Sequence, residues 1–226
     1  MTQIRVWTYE GTELAWLQER LGRTGAGPGH VVSELVPSGF EVYLRVFHRF
    51  EAPDGSGRTR RWRTWAEGAG IDFHAESSYY SLPGRNDAGS GALVWESEPG
   101  VLDGRSRGAL ARCLADATGE QDVYFAYNLA AVLWGEEEPL VRRARLAGLE
   151  SVREEVAARV GSDGPEFWWP QDRSWVVTTD YDLMSTYVGC SDETARRILD
   201  DDELEVLPVT PRTRVDWYAD RAPHVP

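Results

Sequence analysis

Glu166-Phe-Trp-Trp-Pro-Gln-Asp-Arg-Ser-Trp-Val-Val-Thr-Thr-Asp-Tyr-Asp-Leu-Met-Ser-Thr-Tyr-Val-Gly-Cys190 reads as an antiparallel hairpin with arms at Ser174 to Asp180 and Ser185 to Gly189. Trp175, Val177 and Thr179 alternate with Val176, Thr178 and Asp180, the period of a strand with one apolar and one mixed face, which sends Trp175 into the core. Trp168-Trp169-Pro170 is expected to precede the strand, with at least one indole at the surface and an Asp172–Arg173 ion pair fixing the turn. Exposed indoles among carboxylates have the character of a protein-binding hot spot, since the ring offers large area at low entropy cost and the acids steer a basic partner. Trp168, Trp169, Asp172, Asp180, Asp182 and Tyr187 are therefore the candidate partner-binding residues.

Working outward, Gln3 to Trp7 predicts a strand and Thr12 to Leu21 a helix, with Leu14, Leu17 and Leu21 on one face. From Phe40 to Phe50 the chain alternates, so that Phe40, Val42, Leu44 and Val46 oppose Glu41, Tyr43, Arg45 and Phe47. Thr64-Trp-Ala-Glu67 has the spacing of a capping box and predicts a short helix. Ser77 to Gly104, rich in Ser, Gly and Pro, reads as a long surface loop with one strand at Ala92 to Glu96. A helix is expected from Arg107 to Thr118, stopped by Gly119. Val123 to Trp134 reads as a buried strand entering a short helix. From Glu136 a helical stripe of Leu146, Leu149, Val152, Val156 and Val160 runs to Gly161. Ser191 caps a last helix through Ala195, Ile198 and Leu199, and Pro208, Pro211, Pro223 and Pro226 predict an extended, frayed tail over 208–226. The sum is an α+β fold, a mixed or antiparallel sheet flanked by four or five helices, in one domain over 1–226.

The composition excludes several functions. All 24 basic residues are arginine, so lysine Schiff-base and lysine-base chemistry are absent. The net charge of −13 is uneven: residues 1–110 hold 14 acids against 12 arginines, and residues 111–226 hold 23 against 12. Such a field repels nucleic acid and anionic lipid and attracts a basic protein. Two unpaired cysteines, no leader at the first residues and no apolar run near the ~18 residues of a membrane span predict a reduced, cytoplasmic, non-membrane protein.

The chemical motifs are thin. Gly104-Arg-Ser-Arg-Gly108 matches a nucleophile elbow and His224 follows several aspartates, but Glu98-Pro-Gly-Val-Leu-Asp103 is not the buried strand an elbow needs, and Ser106 reads as a helix N-cap. Asp180-Tyr-Asp182 places two carboxylates on one face, with Asp172 as a third oxygen donor, yet aspartates are ordinary turn residues, so no metal or cofactor is assigned. His30, His48, His74 and His224 share no ligand spacing. The Arg58 to Arg63 patch, interleaved with Trp62 and Trp65, is expected to pair with the protein's own acids or an anionic ligand.

Two blocks, Val36-Pro-Ser-Gly-Phe-Glu-Val-Tyr-Leu-Arg-Val-Phe-His48 and Phe167 to Gly189, resemble a group of hypothetical actinobacterial proteins without an assigned activity. The resemblance spans most of the chain, departs from the group over Val123 to Leu140, implies a bacterial cytoplasmic protein, and carries over no catalytic residue. The leading expectation is a non-enzymatic, immunity-like or regulatory protein whose acidic second half engages a basic partner. The alternative is an enzyme or small-ligand binder, with or without dependence on a metal, with Asp180, Asp182 and His48 around a cleft and Arg61 or Arg63 holding an anion.

Overall fold

The computed structural model describes residues 5–6, 12–22, 30–52, 54–82, 95–127, 140–160, 164–216 and 219–221. In chain order the elements are β1 (Arg5–Val6), α1 (Thr12–Arg20), β2 (Val42–Phe47), β3 (Phe50–Glu51), β4 (Thr59–Arg60), α2 (Trp62–Ala69), α3 (Gly104–Thr118), β5 (Val123–Tyr127) and β6 (Leu140–Ala144). They continue as α4 (Leu149–Val160), β7 (Phe167–Pro170), β8 (Val176–Thr179), β9 (Ser185–Cys190), α5 (Asp192–Asp200) and β10 (Val206–Val209). The fold is α+β: an eight-stranded sheet in the order β1-β6-β5-β7-β8-β9-β2-β10, antiparallel at every pairing, with five helices among the described residues.

Alternation decides which side chain meets which layer. Leu44, Val46, Phe125, Trp168, Val177 and Val188 point to one face, where they pack with Leu110, Leu114, Val152, Val156 and Ile198 of α3, α4 and α5. Tyr43, Ala126, Trp169, Val176 and Tyr187 point to the other, under Leu14, Trp16 and Leu17 of α1 and under Val32, Val36 and Val215. Burial on both faces explains why β2 is buried at five of its six positions. Two split crossovers organise the helical layer. β6 and β7 flank β5, both antiparallel to it, and α4 joins them; β9 and β10 flank β2 in the same way, and α5 joins them.

Several expectations change. Trp168 and Trp169 belong to a strand of their own, β7, so the hairpin is a three-stranded meander. Leu140 to Ala144 is strand β6 rather than the start of a helix, because β5 and β1 supply partners on both sides. α2 begins at Trp62, two residues before the predicted capping box, because Glu205 caps it from a distance: its carboxylate accepts the backbone N–H groups of Trp62 at 2.7 Å and Arg63 at 2.8 Å. Asp103, not Ser106, caps α3, accepting the Ser106 N–H at 2.9 Å. The described part of the tail is pinned, first as β10 along β2, then through a bridge from Val31 to Arg214 and through Asp220, which accepts the Ser78 N–H. Of the predicted strand at Ala92 to Glu96, Glu96 forms an isolated bridge to Glu51, while residues 92–94, the segment from Asn128 to Pro139 and His224 lie outside the described residues.

A third cluster sits beyond the end of β2. There Phe47 and Phe50 pack on Trp62 and Trp65 of α2, with Trp62 almost fully buried. This cluster, the β8–β9 turn and the loop before α3 together enclose the cavities described next.

Candidate functional site

Trp168 and Trp169, at least one of which is expected at the surface from the sequence, are both core residues. Trp168 is 3% exposed, lying between Phe125 and Trp175, and Trp169 is 2% exposed, lying between Trp16 and Tyr124. Successive residues of a strand point to opposite faces, so an aromatic doublet in a sheet covered on both sides is buried twice. Tyr187 is fully buried as well, and burial raises the pKa of its phenol. An exposed tryptophan surface at this hairpin is therefore corrected.

The three aspartates are divided between the two ends of β8. Asp172 occupies the β7–β8 turn, accepting the Ser174 N–H at 2.9 Å and the Gln121 side-chain N–H at 3.0 Å. Burial alone would raise its pKa, but those hydrogen bonds outweigh burial and hold it below the usual value. Arg173 does not pair with Asp172; its guanidinium lies 5.1 Å from the Trp16 ring, and its backbone is left-handed at φ 59°. Asp180 and Asp182 lie at the opposite turn, where Asp180 accepts the Asp182 N–H at 2.9 Å and burial raises its pKa. The three carboxylates thus do not converge, and among the described residues no group of His, Cys, Asp and Glu is arranged to hold a metal ion.

Nor does His48 join Asp180 and Asp182. It lies on the helix-covered face, where Nε2 is 2.9 Å from the Thr186 hydroxyl, which is itself 2.8 Å from the Thr179 hydroxyl. Burial pushes its pKa down to about 4, keeping the ring neutral. The histidine beside Asp180 is His30, paired with Glu34 at 2.6 Å and raised in pKa chiefly by that hydrogen bond. Both thiols are free and buried; burial pushes Cys113 up to about 11 and Cys190 to about 12, far from the pKa of a reactive nucleophile.

What does assemble is a run of cavities around the β8–β9 turn. Gly100 positions one wall: its φ is +76°, its N–H donates to the Leu183 carbonyl at 3.0 Å, and a Cβ built on it would stand 2.7 Å from the Tyr181 Cα. Only glycine allows the two backbones to approach this closely. The contact brings Ser97, Glu98 and Pro99 against the β3–β4 ribbon and closes a cavity of about 690 Å³ lined by Arg49, Glu51, Glu96, Glu98 and Asp103. Glu51 and Glu96 face each other across an isolated bridge, exchanging backbone hydrogen bonds of 2.6 and 3.0 Å. The neighbouring arginines are directed elsewhere. Arg58 pairs with Asp54 at 2.7 Å, Arg60 lies over the Trp65 and Trp95 rings, and Arg49 donates to the Glu203 carbonyl.

A second cavity, of about 270 Å³, adjoins the first at Tyr79 and Pro99 and reaches Arg45 on β2. Alternation from Phe40 to Phe50 places Arg45 on a strand face and by itself gives it no role. An arginine between Tyr43 and Phe47 in a strand this apolar was the available signal.

The uneven charge of the sequence is folded into cross-links. Arg105 and Arg112 of α3 pair with Glu203, Arg107 pairs with Glu150, and Arg197 pairs with Asp116. Arg61 donates to the Asp202 carbonyl, and Arg63 lies over Phe73. The acids after α5, placed unfavourably for that helix's dipole, tie it to α3 and to the start of α2. No helix of the described residues is long and apolar enough to cross a membrane. Comparison with protein-family models, curated proteins and solved structures returned no match.

Proposed function

We propose that the chain is a binding protein and that the acid-lined cavity between the β3–β4 ribbon and the loop at Ser97 to Asp103 receives a cationic group presented by a basic partner. The observation that carries this reading is the Glu51–Glu96 rung. Like charges directly opposite each other across a ladder repel, and here no arginine among the described residues is paired with either. Glu98 and Asp103 add two more carboxylates to the same cavity. An arginine or lysine side chain entering it would relieve that repulsion while gaining charge-assisted hydrogen bonds. The partner surface in this reading moves from the buried indoles to the far side of the β8–β9 turn.

The test is binding of an arginine-rich peptide, measured at rising salt in the wild type and in a Glu51→Gln/Glu96→Gln double variant. Affinity is expected to fall with ionic strength and to drop about tenfold in the variant, while its melting temperature holds or rises as the repulsion is removed. Affinity indifferent to both salt and substitution would remove the reading.

A further inference from the structure

Arg45 is a permanent charge, 6% exposed, in the middle of a sheet face. A buried arginine is ordinarily held by a carboxylate, because desolvating the cation costs several kcal/mol that hydrogen bonding and pairing must offset. Arg45 has no such partner among the described residues. Nε donates to the Ser185 hydroxyl at 2.9 Å and Nη1 to the Ala75 carbonyl at 2.7 Å, which accounts for two of its five N–H groups. Its Cζ lies 4.2 Å from the centroid of the Phe47 ring, so one face of the guanidinium is covered by an aromatic surface. The two hydrogen bonds use Nε and Nη1, Nη2 has no acceptor among the described residues, and Arg45 lines the 270 Å³ cavity.

The surrounding acids do not fill the role. Asp216 is bound to Arg214 at 2.9 Å, Asp220 accepts the Ser78 N–H and the Ser81 hydroxyl, and Glu76 accepts the Arg214 N–H. They lower the potential around Arg45 without touching it. The remaining walls are mostly aromatic or apolar: Trp62, Tyr79, Tyr80, Leu183 and Met184.

We propose that the cavity over Arg45 is a binding site for a small monocarboxylate with a flat apolar body, its carboxylate on the free edge of the guanidinium and its body against the Trp62 and Tyr79 side of the cavity. The volume, just under the range for drug-sized ligands, fits a molecule the size of benzoate. Asp182 and Asp216 line the same cavity, so a second negative charge on the ligand meets repulsion; this selects a monocarboxylate over a phosphate. The site is independent of the acid-lined cavity, because it takes a ligand of the opposite charge and shares only Tyr79 and Pro99 with it.

The experiment is thermal melting of the full chain with benzoate, with its neutral isostere benzamide and with inorganic phosphate. Benzoate at ten times its Kd is expected to raise the melting temperature by about 3–6 °C, and the other two to leave it unchanged. Arg45→Lys, which keeps the charge but loses the planar fork, is expected to weaken benzoate at least tenfold, and Arg45→Gln to abolish binding. Should either variant fail to fold, Asp182→Asn tests the same geometry from the mouth of the cavity, with an expected gain of about threefold in benzoate affinity. No benzoate shift in the wild type, an equal shift with benzamide, or an affinity indifferent to Asp182→Asn would overturn the proposal.

Discussion

The turns at the two ends of β8 are built from similar residues and finish differently. At the β7–β8 end, Asp172 is answered by Ser174 within the turn and by Gln121 from the segment after α3, and Arg173 folds over Trp16. At the β8–β9 end, Asp180 is answered by the Asp182 N–H of its own turn, and the loop before α3 contributes a backbone contact through Gly100. The first turn is filled by side chains; the second is held by a close backbone contact and bordered by cavities. Aspartates at turns therefore say little about function by themselves. What separates a structural turn from a candidate site is what the rest of the chain brings to it.

The largest break in this comparison is expected at Gly100. An alanine there would take a left-handed backbone that L residues adopt at a cost, and its Cβ would press on the Tyr181 Cα at 2.7 Å, where backbone cannot rotate away. The two penalties together predict a loss of about 3–4 kcal/mol in a denaturant titration. Because the loop carrying Glu98 and Asp103 is pinned through this contact, binding of basic peptide should weaken in any fraction that stays folded. A loss below about 1 kcal/mol would mean that the loop is not fastened to the turn at all.

Next in size is the pH response of His48, whose bond to Thr186 ties the end of β2 to the same end of the meander. Unfolded, the ring takes a proton near pH 6.5; folded, burial delays this to about 4. Between those values the unfolded chain binds more protons, so stability is complete above pH 6.5 and declines as the pH falls toward 4. The shift corresponds to about 3 kcal/mol. His30 has the opposite sign, since its raised pKa contributes stability that is lost as the pH rises. The informative quantity is accordingly the difference between wild type and His48→Gln, which keeps a hydrogen-bonding group for Thr186 but does not titrate. The stability of the wild type relative to the variant should fall steadily from pH 7 to pH 4, and a constant difference would show that the folded ring takes its proton at the same pH as the unfolded one.

Much of the sheet could be read along the chain because it rests on local signals. Alternation marked β2 and β8, the hairpin reading placed β9, Gly119 stopped α3 and Ser191 capped α5. The misreadings occurred where non-local partners decide. Leu-Val-Arg-Arg-Ala at 140–144 continues into a helical stripe, and only pairing with β5 and β1 makes it a strand. Trp168-Trp169 resembles an exposed patch until both sheet faces are known to be covered. The cavities were less legible still, since Glu51 and Glu96, or Arg45 and Ser185, meet only after the chain has closed on itself. The arginine cross-links to Glu203 and Glu150 follow the same rule: charge counts along the sequence do not give the field of the folded surface.

The smallest effects sharpen the contrast between the two turns. Asp172→Ala removes both carboxylate hydrogen bonds of the filled turn and leaves the Ser174 N–H to water, so a loss of about 1–2 kcal/mol is expected in thermal or chemical unfolding. Asp182→Asn at the exposed position of the other turn should stay within about 0.5 kcal/mol of wild type. Arg173→Gly sets two terms against each other. Glycine relieves the left-handed φ of 59°, worth about 1 kcal/mol, but it frees the unfolded chain and gives up the contact with Trp16, which together are of similar size. The expected net change is within about 0.5 kcal/mol. A clear stabilisation would assign the conformational term the larger share, and a clear loss would show that the guanidinium on Trp16 is what keeps this end of β8 closed.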